Sequence, residues 1–391
     1  MSSYFLEVDF HQICKHGYLS CGDSFHSIKN DDGIICVLAD GLGSGIKASV
    51  LSTLTTTMAA SFMSSKIDIK HAAEIILETL PVCSYRQIGY STFTIIEASY
   101  TGEMRVIEHD NPPFALLRNG KVVPVQKQEI PIKTFRRSHL YYSELTLLPG
   151  DRIVYYSDGV TQSGMGLPHL PLGWLESGVE RFLERILQDN PLLSAGDISK
   201  KVTMKARELD GNKAADDISC AALYLRNPRR TILVTGPPYK IEHDPIMAEL
   251  IESFNGKKIV SGGTTASIIS RELNRPITVN LKEINSRSDV PPTAQIAGID
   301  LVTEGTITLS RALRALEDGV SLDKMPDNAV KKLLTILFES DIIEFVVGTK
   351  INEAHQDPAL PKDLEIRRNL MKQFTQVLET KYLKSTRLMF I

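Results

Sequence analysis

Six apolar residues in a row, Ile34-Ile35-Cys36-Val37-Leu38-Ala39, run straight into Asp40-Gly41-Leu42-Gly43-Ser44-Gly45. An apolar run of this kind, closed by glycines, reads as a strand buried on both faces. Beyond it, Ile46, Val50, Leu54, Met58 and Phe62 recur at every fourth position and read as a helix whose apolar stripe covers a sheet. A buried strand ending on a carboxylate, then a glycine loop, then a helix start, joins three properties. The carboxylate accepts a hard cation, glycines let the backbone approach a ligand closely, and a helix N-terminus favours an anion.

The pattern recurs. Ile153-Val154-Tyr155-Tyr156-Ser157 ends in Asp158-Gly159, and Asp216-Asp217 immediately precedes the strand pattern Ile218 to Leu225. The end of one strand and the start of its antiparallel neighbour share an edge, so these carboxylates can converge. Converging carboxylates repel one another unless cations neutralise them, and Mg²⁺ or Mn²⁺ suit an all-oxygen set.

Four segments carry a resemblance: Gly22-Asp23-Ser24-Phe25, Val37 to Gly45, Tyr156-Ser157-Asp158-Gly159-Val160 and Ala215-Asp216-Asp217-Ile218-Ser219. In order and spacing they resemble the bacterial stage II sporulation protein E branch of the metal-dependent PP2C serine/threonine phosphatases, over roughly residues 1–225. The resemblance implies an α-β-β-α antiparallel β-sandwich and two divalent cations, Mn²⁺ or Mg²⁺. It implies Asp40, Asp158 and Asp216 as catalytic metal ligands, the Gly41 carbonyl as a further oxygen and Asp23 as an outer carboxylate. Whether Asp217 binds metal or supports Asp216 is left open. The implied reaction is hydrolysis of phosphoserine or phosphothreonine on a protein by metal-activated water. The implied partners are a phosphorylated regulator in partner-switching signalling, such as an anti-sigma-factor antagonist, and a second copy of the chain. Eukaryotic members carry a histidine after the first Asp-Gly and a basic residue near the N-terminal acid; here Leu42 follows Gly41, and no arginine lies near Asp23.

With 391 residues the chain has room for two or three domains. The polar, basic stretch Arg226-Asn227-Pro228-Arg229-Arg230 reads as a boundary, giving a phosphatase-like domain at 1–227 and a smaller α/β domain at 228–391. In the second, Thr231 to Thr235, Lys258 to Ser261 and Ile277 to Leu281 read as strands. Helices open at Asp244-Pro245 and at Gly262-Gly263-Thr264-Thr265, so the series predicts a short parallel sheet. Further on come a helix from Asn328 to Phe338, a strand from Ile342 to Val347 and a long helix after Pro361. The Gly262, Gly263, Thr264, Thr265 loop either holds an anion or is a tight turn, and a small-molecule effector is one role for this domain.

A formal charge of −3 argues against nucleic-acid binding, and no apolar run is long enough for a bilayer. Acids fall where a secretory leader needs an apolar core, so the expected location is cytoplasmic. Cys14, Cys21, Cys36, Cys83 and Cys220 form no C-x-x-C pair and read as reduced thiols. A second reading is a non-catalytic PP2C-like binding or sensor module. It is the weaker one, because a module without chemistry has no use for mutually repelling acids.

Overall fold

The computed structural model describes residues 4–80, 91–131, 140–280, 290–350, 362–382 and 384–391, so Cys83 and Pro361 lie outside the described residues. The chain divides into two compact units, Met1–Asn227 and Pro228–Ile391.

Strands β1 (Phe5–Ile13), β2 (Asp23–Lys29), β3 (Gly33–Gly41), β4 (Ser91–Ser99), β5 (Glu103–His109), β6 (Ala115–Arg118), β7 (Lys121–Val123), β8 (Gln128–Ile130), β9 (Leu140–Thr146), β10 (Arg152–Tyr156) and β11 (Ile218–Arg226) build the first unit. They form two antiparallel sheets, ordered β1-β11-β10-β6-β7 and β2-β3-β4-β5-β9-β8. Alternation along β3 explains its unbroken apolar run. Ile34, Cys36 and Leu38 enter the core between the sheets with Ile153, Tyr155 and Leu223. Ile35, Val37 and Ala39 point the other way, into a core shared with α1 (Ile46–Ser64) and α2 (Ile69–Thr79). On the opposite side, Val154, Tyr156, Cys220 and Ala222 pack under α4 (Leu175–Asp189) and α5 (Ala195–Leu209), with the short α3 (Asp158–Thr161) preceding them. Helices outside and two sheets inside give the expected α-β-β-α sandwich.

Of the stripe expected to bury α1, Met58 and Phe62 pack against the core but the N-terminal three residues do not. Ile46, Val50 and Leu54 are 76%, 61% and 45% exposed, while Ala48, Ser52, Thr55, Thr56, Ala59, Ala60 and Met63 are buried. The cause is the closeness of the helix to the sheet. A Cβ added to Gly41 would lie 2.1 Å from the Ala48 carbonyl oxygen, so only small side chains fit beneath the first turns.

In the second unit, β12 (Arg230–Thr235), β13 (Lys257–Ser261), β14 (Thr278–Val279), β15 (Ala294–Gln295), β16 (Leu301–Thr303), β17 (Ile342–Val347) and β18 (Ser385–Phe390) share one sheet. Its parallel part runs β16-β13-β12-β17-β18, with β15 and β14 antiparallel beyond β16. Helices α6 (Asp244–Glu252) and α7 (Gly263–Leu273) bury Met247, Ile251 and Ile269 against one face. Helices α8 (Thr306–Asp318), α9 (Ala329–Glu339) and α10 (Lys362–Thr380) bury Leu309, Leu333 and Phe374 against the other. This is a doubly wound α/β arrangement.

The sheet is larger than the sequence suggested. The segment read as a third parallel strand supplies only the short antiparallel β14, with Thr278 and Val279 exposed. The third parallel strand is β16, three residues long and so too short to show a period. A fifth, β18, follows the C-terminal helix.

Candidate metal centre

Antiparallel pairing of β2 with β3 sets Asp23 opposite Asp40 at one sheet edge. In the other sheet, β10 pairs with β11, and the Ser157 amide donates to the Ser219 carbonyl at 3.0 Å, so the chain leaves at Asp158 beside its return at Asp216-Asp217. The two edges face each other. Asp40 lies within electrostatic reach of Asp23, Asp158 and Asp216, which places all four carboxylates in one cluster.

Glycines permit this closeness. At Gly159 a Cβ would lie 2.0 Å from the Asp217 carbonyl oxygen; at Gly22 it would lie 2.9 Å from Ala48 Cβ and 3.0 Å from Asp217 Oδ2. The Gly41 amide donates to the Gly22 carbonyl at 3.3 Å, holding the two loops together.

Burial and mutual repulsion act together on these groups. Burial, then the charges of Asp23 and Asp158, push the Asp40 carboxyl up to about 10. Burial pushes Asp23 up to about 7 against the pull of the nearby Ser219 and Ser157 hydroxyls, with Asp217 adding to the rise. Asp158 is also raised, by burial and by Asp216, while Asp40, the Gly159 amide and Gln162 pull it back. Both Asp23 carboxylate oxygens are buried without a hydrogen-bond partner among the described residues. Orphaned Asp23 oxygens beside Asp40, which itself feels Asp158 and Asp216, offer the oxygen ligands that divalent cations prefer, though no three of these four carboxylates bring ligand atoms within 4.8 Å of one another.

Asp217 has a different place. Its Oδ1 accepts the Lys15 amide at 2.8 Å and its Oδ2 the Gly22 amide at 2.7 Å. With both oxygens engaged by backbone, it ties the loop before β2 to the start of β11.

Two neighbours escaped the sequence reading. Lys15 Nζ lies 3.4 Å from Asp216 Oδ1, bringing a cation to the cluster from far along the chain. Gln162 Nε2 donates to Asp158 Oδ2 at 2.7 Å, one helical turn on. The i, i+4 spacing on α3 was available as a signal for Gln162; nothing local marks Lys15. The cysteine expectation also needs correction. Cys14 and Cys21 form a disulfide that closes the loop carrying Lys15, and their sulfurs and an Asp217 oxygen lie within 4.8 Å of one another. Cys36 and Cys220 are free and buried, as apolar strand positions require.

A recess of about 880 Å³ opens at the other end of the β3 sheet, lined by Lys66, Asp68, Glu97, Arg105 and Glu144 among others, and contains none of the four carboxylates. Gly262 to Thr265 lies in the second unit, at the start of α7.

A family model described as "Stage II sporulation protein E (SpoIIE)" matches residues 30–226, just over half of the chain. The match includes Asp40, Gly41, Asp158, Asp216 and Asp217, starts after Asp23 and ends before the second unit. Among solved structures, the chain is similar to the PP2C phosphatase domain with a regulatory-domain fragment of SpoIIE from Bacillus subtilis. Identity is 20% and the TM-score 0.49, covering 58% of this chain and 64% of that one, less than two thirds of its length. It is similar to the RsbU and RsbW domains of a Mycobacterium tuberculosis protein, at 16% identity and TM-score 0.46, covering 63% and 67%. It is also similar to a serine/threonine phosphatase of S. agalactiae, at 15% identity and TM-score 0.41, covering 56% and 99%. No curated protein matches the chain.

Proposed function

The chain belongs to the stage II sporulation protein E family of PP2C-type phosphatases, and on that premise we propose that Met1–Asn227 is a divalent-metal-dependent protein phosphatase acting on phosphoserine or phosphothreonine. The observation that carries this reading is the gathering of Asp23, Asp40, Asp158 and Asp216 from distant strands, with the Asp23 oxygens buried and unpartnered among the described residues.

Asp40, Asp158, Asp216 and the Gly41 carbonyl would hold two Mn²⁺ or Mg²⁺ ions, with Asp23 an outer carboxylate. Bound there, the cations supply a water activated for attack on phosphorus and offset charge on the phosphoryl oxygens. The chain's own residues do the positioning. Gln162 fixes the Asp158 carboxylate, and Asp217 fixes the loop that presents Lys15. The Lys15 ammonium beside Asp216 is placed to meet a phosphoryl oxygen, a role for which the sequence showed no arginine. From the family premise, the substrate class is a phosphorylated regulator of partner-switching signalling, such as an anti-sigma-factor antagonist. Among the described residues no helix is long and apolar enough to cross a membrane.

Mn²⁺-dependent turnover of a generic phosphate ester should fall at least about a thousandfold in Asp158→Asn, a loss near 4 kcal/mol of transition-state stabilisation. Equal rates in the two proteins would leave a non-catalytic module as the better reading.

A further inference from the structure

The parallel strands of the second unit end on hydroxyls and glycines. Thr235, Ser261 and Thr303 are the buried last residues of β12, β13 and β16; Gly236 and Gly262 follow the first two directly, and Gly305 follows the third after Glu304. The Gly262 amide donates to the Thr303 carbonyl at 2.9 Å, and Thr303 Oγ1 donates to Ser261 Oγ at 3.0 Å. These bonds lock the β13 and β16 ends side by side, so the helices leaving them, α7 and α8, begin at neighbouring points.

Both helices start the same way. Each has a glycine N-cap, Gly262 or Gly305, with no side-chain cap, and each has a threonine as its third residue, Thr265 or Thr308. Both threonines are buried, and neither hydroxyl has a hydrogen-bond partner among the described residues. Thr265 Oγ1 is directed at the N-cap, 3.2 Å from where a Gly262 Cβ would stand; a Cβ on Gly305 would lie 3.3 Å from Gly262 Cα. Gly262 has φ +121°, a conformation that favours glycine. A side chain at either N-cap would therefore fill the space between the two helix starts. In α7 the first amide with an intrahelical acceptor is that of Ala266, so the three before it have none within the helix.

We propose that this edge binds a small molecule through a terminal phosphoryl group, held by the first-turn amides of α7 and by the hydroxyl of Thr265. A buried hydroxyl without a partner is unfavourable, and a ligand that accepts from Thr265 at the α7 start accounts for it. Helix N-termini favour anions, and three phosphoryl oxygens can use more donors than a carboxylate's two. Glu304 is the opposing charge: its Oε2 accepts the Ile307 amide at 3.2 Å, partly serving α8, whereas α7 has no such acid in its first turn. The site lies in the second unit and the carboxylate cluster in the first.

The test is calorimetric titration of the full chain, treated with chelator so that the first unit holds no cation. One arm uses inorganic phosphate and another ribose 5-phosphate, with ribose as the neutral control. Saturable binding in either phosphate arm is expected, and the tighter arm identifies free phosphate or a phosphate ester as the source. Thr265→Val should weaken it about tenfold, the loss of one hydrogen bond to a charged group. That variant exchanges an unpaired hydroxyl for a methyl of the same shape, so its melting temperature should match or exceed the parent's. Glu304→Gln should bind more tightly. The proposal is overturned if neither phosphate arm saturates, if Thr265→Val binds like the parent, if ribose binds equally well, or if Glu304→Gln binds more weakly. None of these outcomes bears on turnover by the first unit, which is assayed separately with metal present.

Discussion

The two units each gather polar groups at a sheet edge, but they do so with opposite charge and from different sources. In the antiparallel sandwich the edge is made of side chains: Asp23, Asp40, Asp158 and Asp216 stand at strand ends, and the charges of the other three raise the proton affinity of Asp40. In the parallel sheet the edge is made of backbone: glycine loops and helix starts, with Thr265 and Thr308 buried beside them. Antiparallel strands alternate direction, so their helices do not begin together, and charge at an edge must come from acids or bases. Parallel strands send every following helix off from the same edge, so the backbone supplies partial positive charge there. One edge is suited to cations and the other to anions.

Glycine substitutions give the sharpest contrast. Gly41→Ala should cost about 3 kcal/mol or more, because the new methyl meets the Ala48 backbone with nowhere to move. Urea unfolding would measure it, and an unchanged midpoint would break the account of close helix packing at this edge.

A somewhat smaller effect is expected from protons. In chelated protein, an acid whose folded value is raised favours folding while protonated. Asp23 rises from 3.8 to about 7, so the stability it contributes should be present below pH 4 and be lost as pH climbs through about 7. Asp23→Asn should flatten that decline, and so should added Mn²⁺ in the parent. A slope that is the same in Asp23→Asn would remove Asp23 as its source.

Breaking the Cys14–Cys21 disulfide with Cys14→Ser/Cys21→Ser should cost about 2 kcal/mol for so short a loop. Because that loop carries Lys15 and meets Asp217, turnover should fall along with melting temperature, while phosphate binding by the second unit stays unchanged. At the other extreme, a Cβ on Gly263 meets nothing within 4 Å. Gly263→Ala should raise stability by about 0.5 kcal/mol through helix propensity.

The carboxylate edge was legible because each acid terminates or begins a run of recognisable period, and strand direction then fixes which ends meet. What escaped was whatever arrives from loops. Lys15 reaches Asp216 across some two hundred residues of sequence, with no local pattern to announce it. The disulfide was missed for a related reason: spacing alone cannot show that Cys14 and Cys21 face each other. On α1 the stripe of large apolar residues misled, because close packing on Gly41 rewards small side chains, which carry little hydrophobic signal. In the second unit β16 is too short to display a period, and the closeness of Gly262 to Gly305 depends on two loops being neighbours, which only the sheet order reveals.

The pairing of β1 with β11 sets Phe5 opposite Arg226, and Asp217 holds the amides of Lys15 and Gly22. A ribosome that has not yet delivered β11 has therefore left β1 without a strand partner and the loop before β2 without its anchor. β1 waits for β11, and its edge stays unpaired until that strand is made. A nascent chain that lacks β11 thus leaves its first strand without the only strand it pairs with in its sheet.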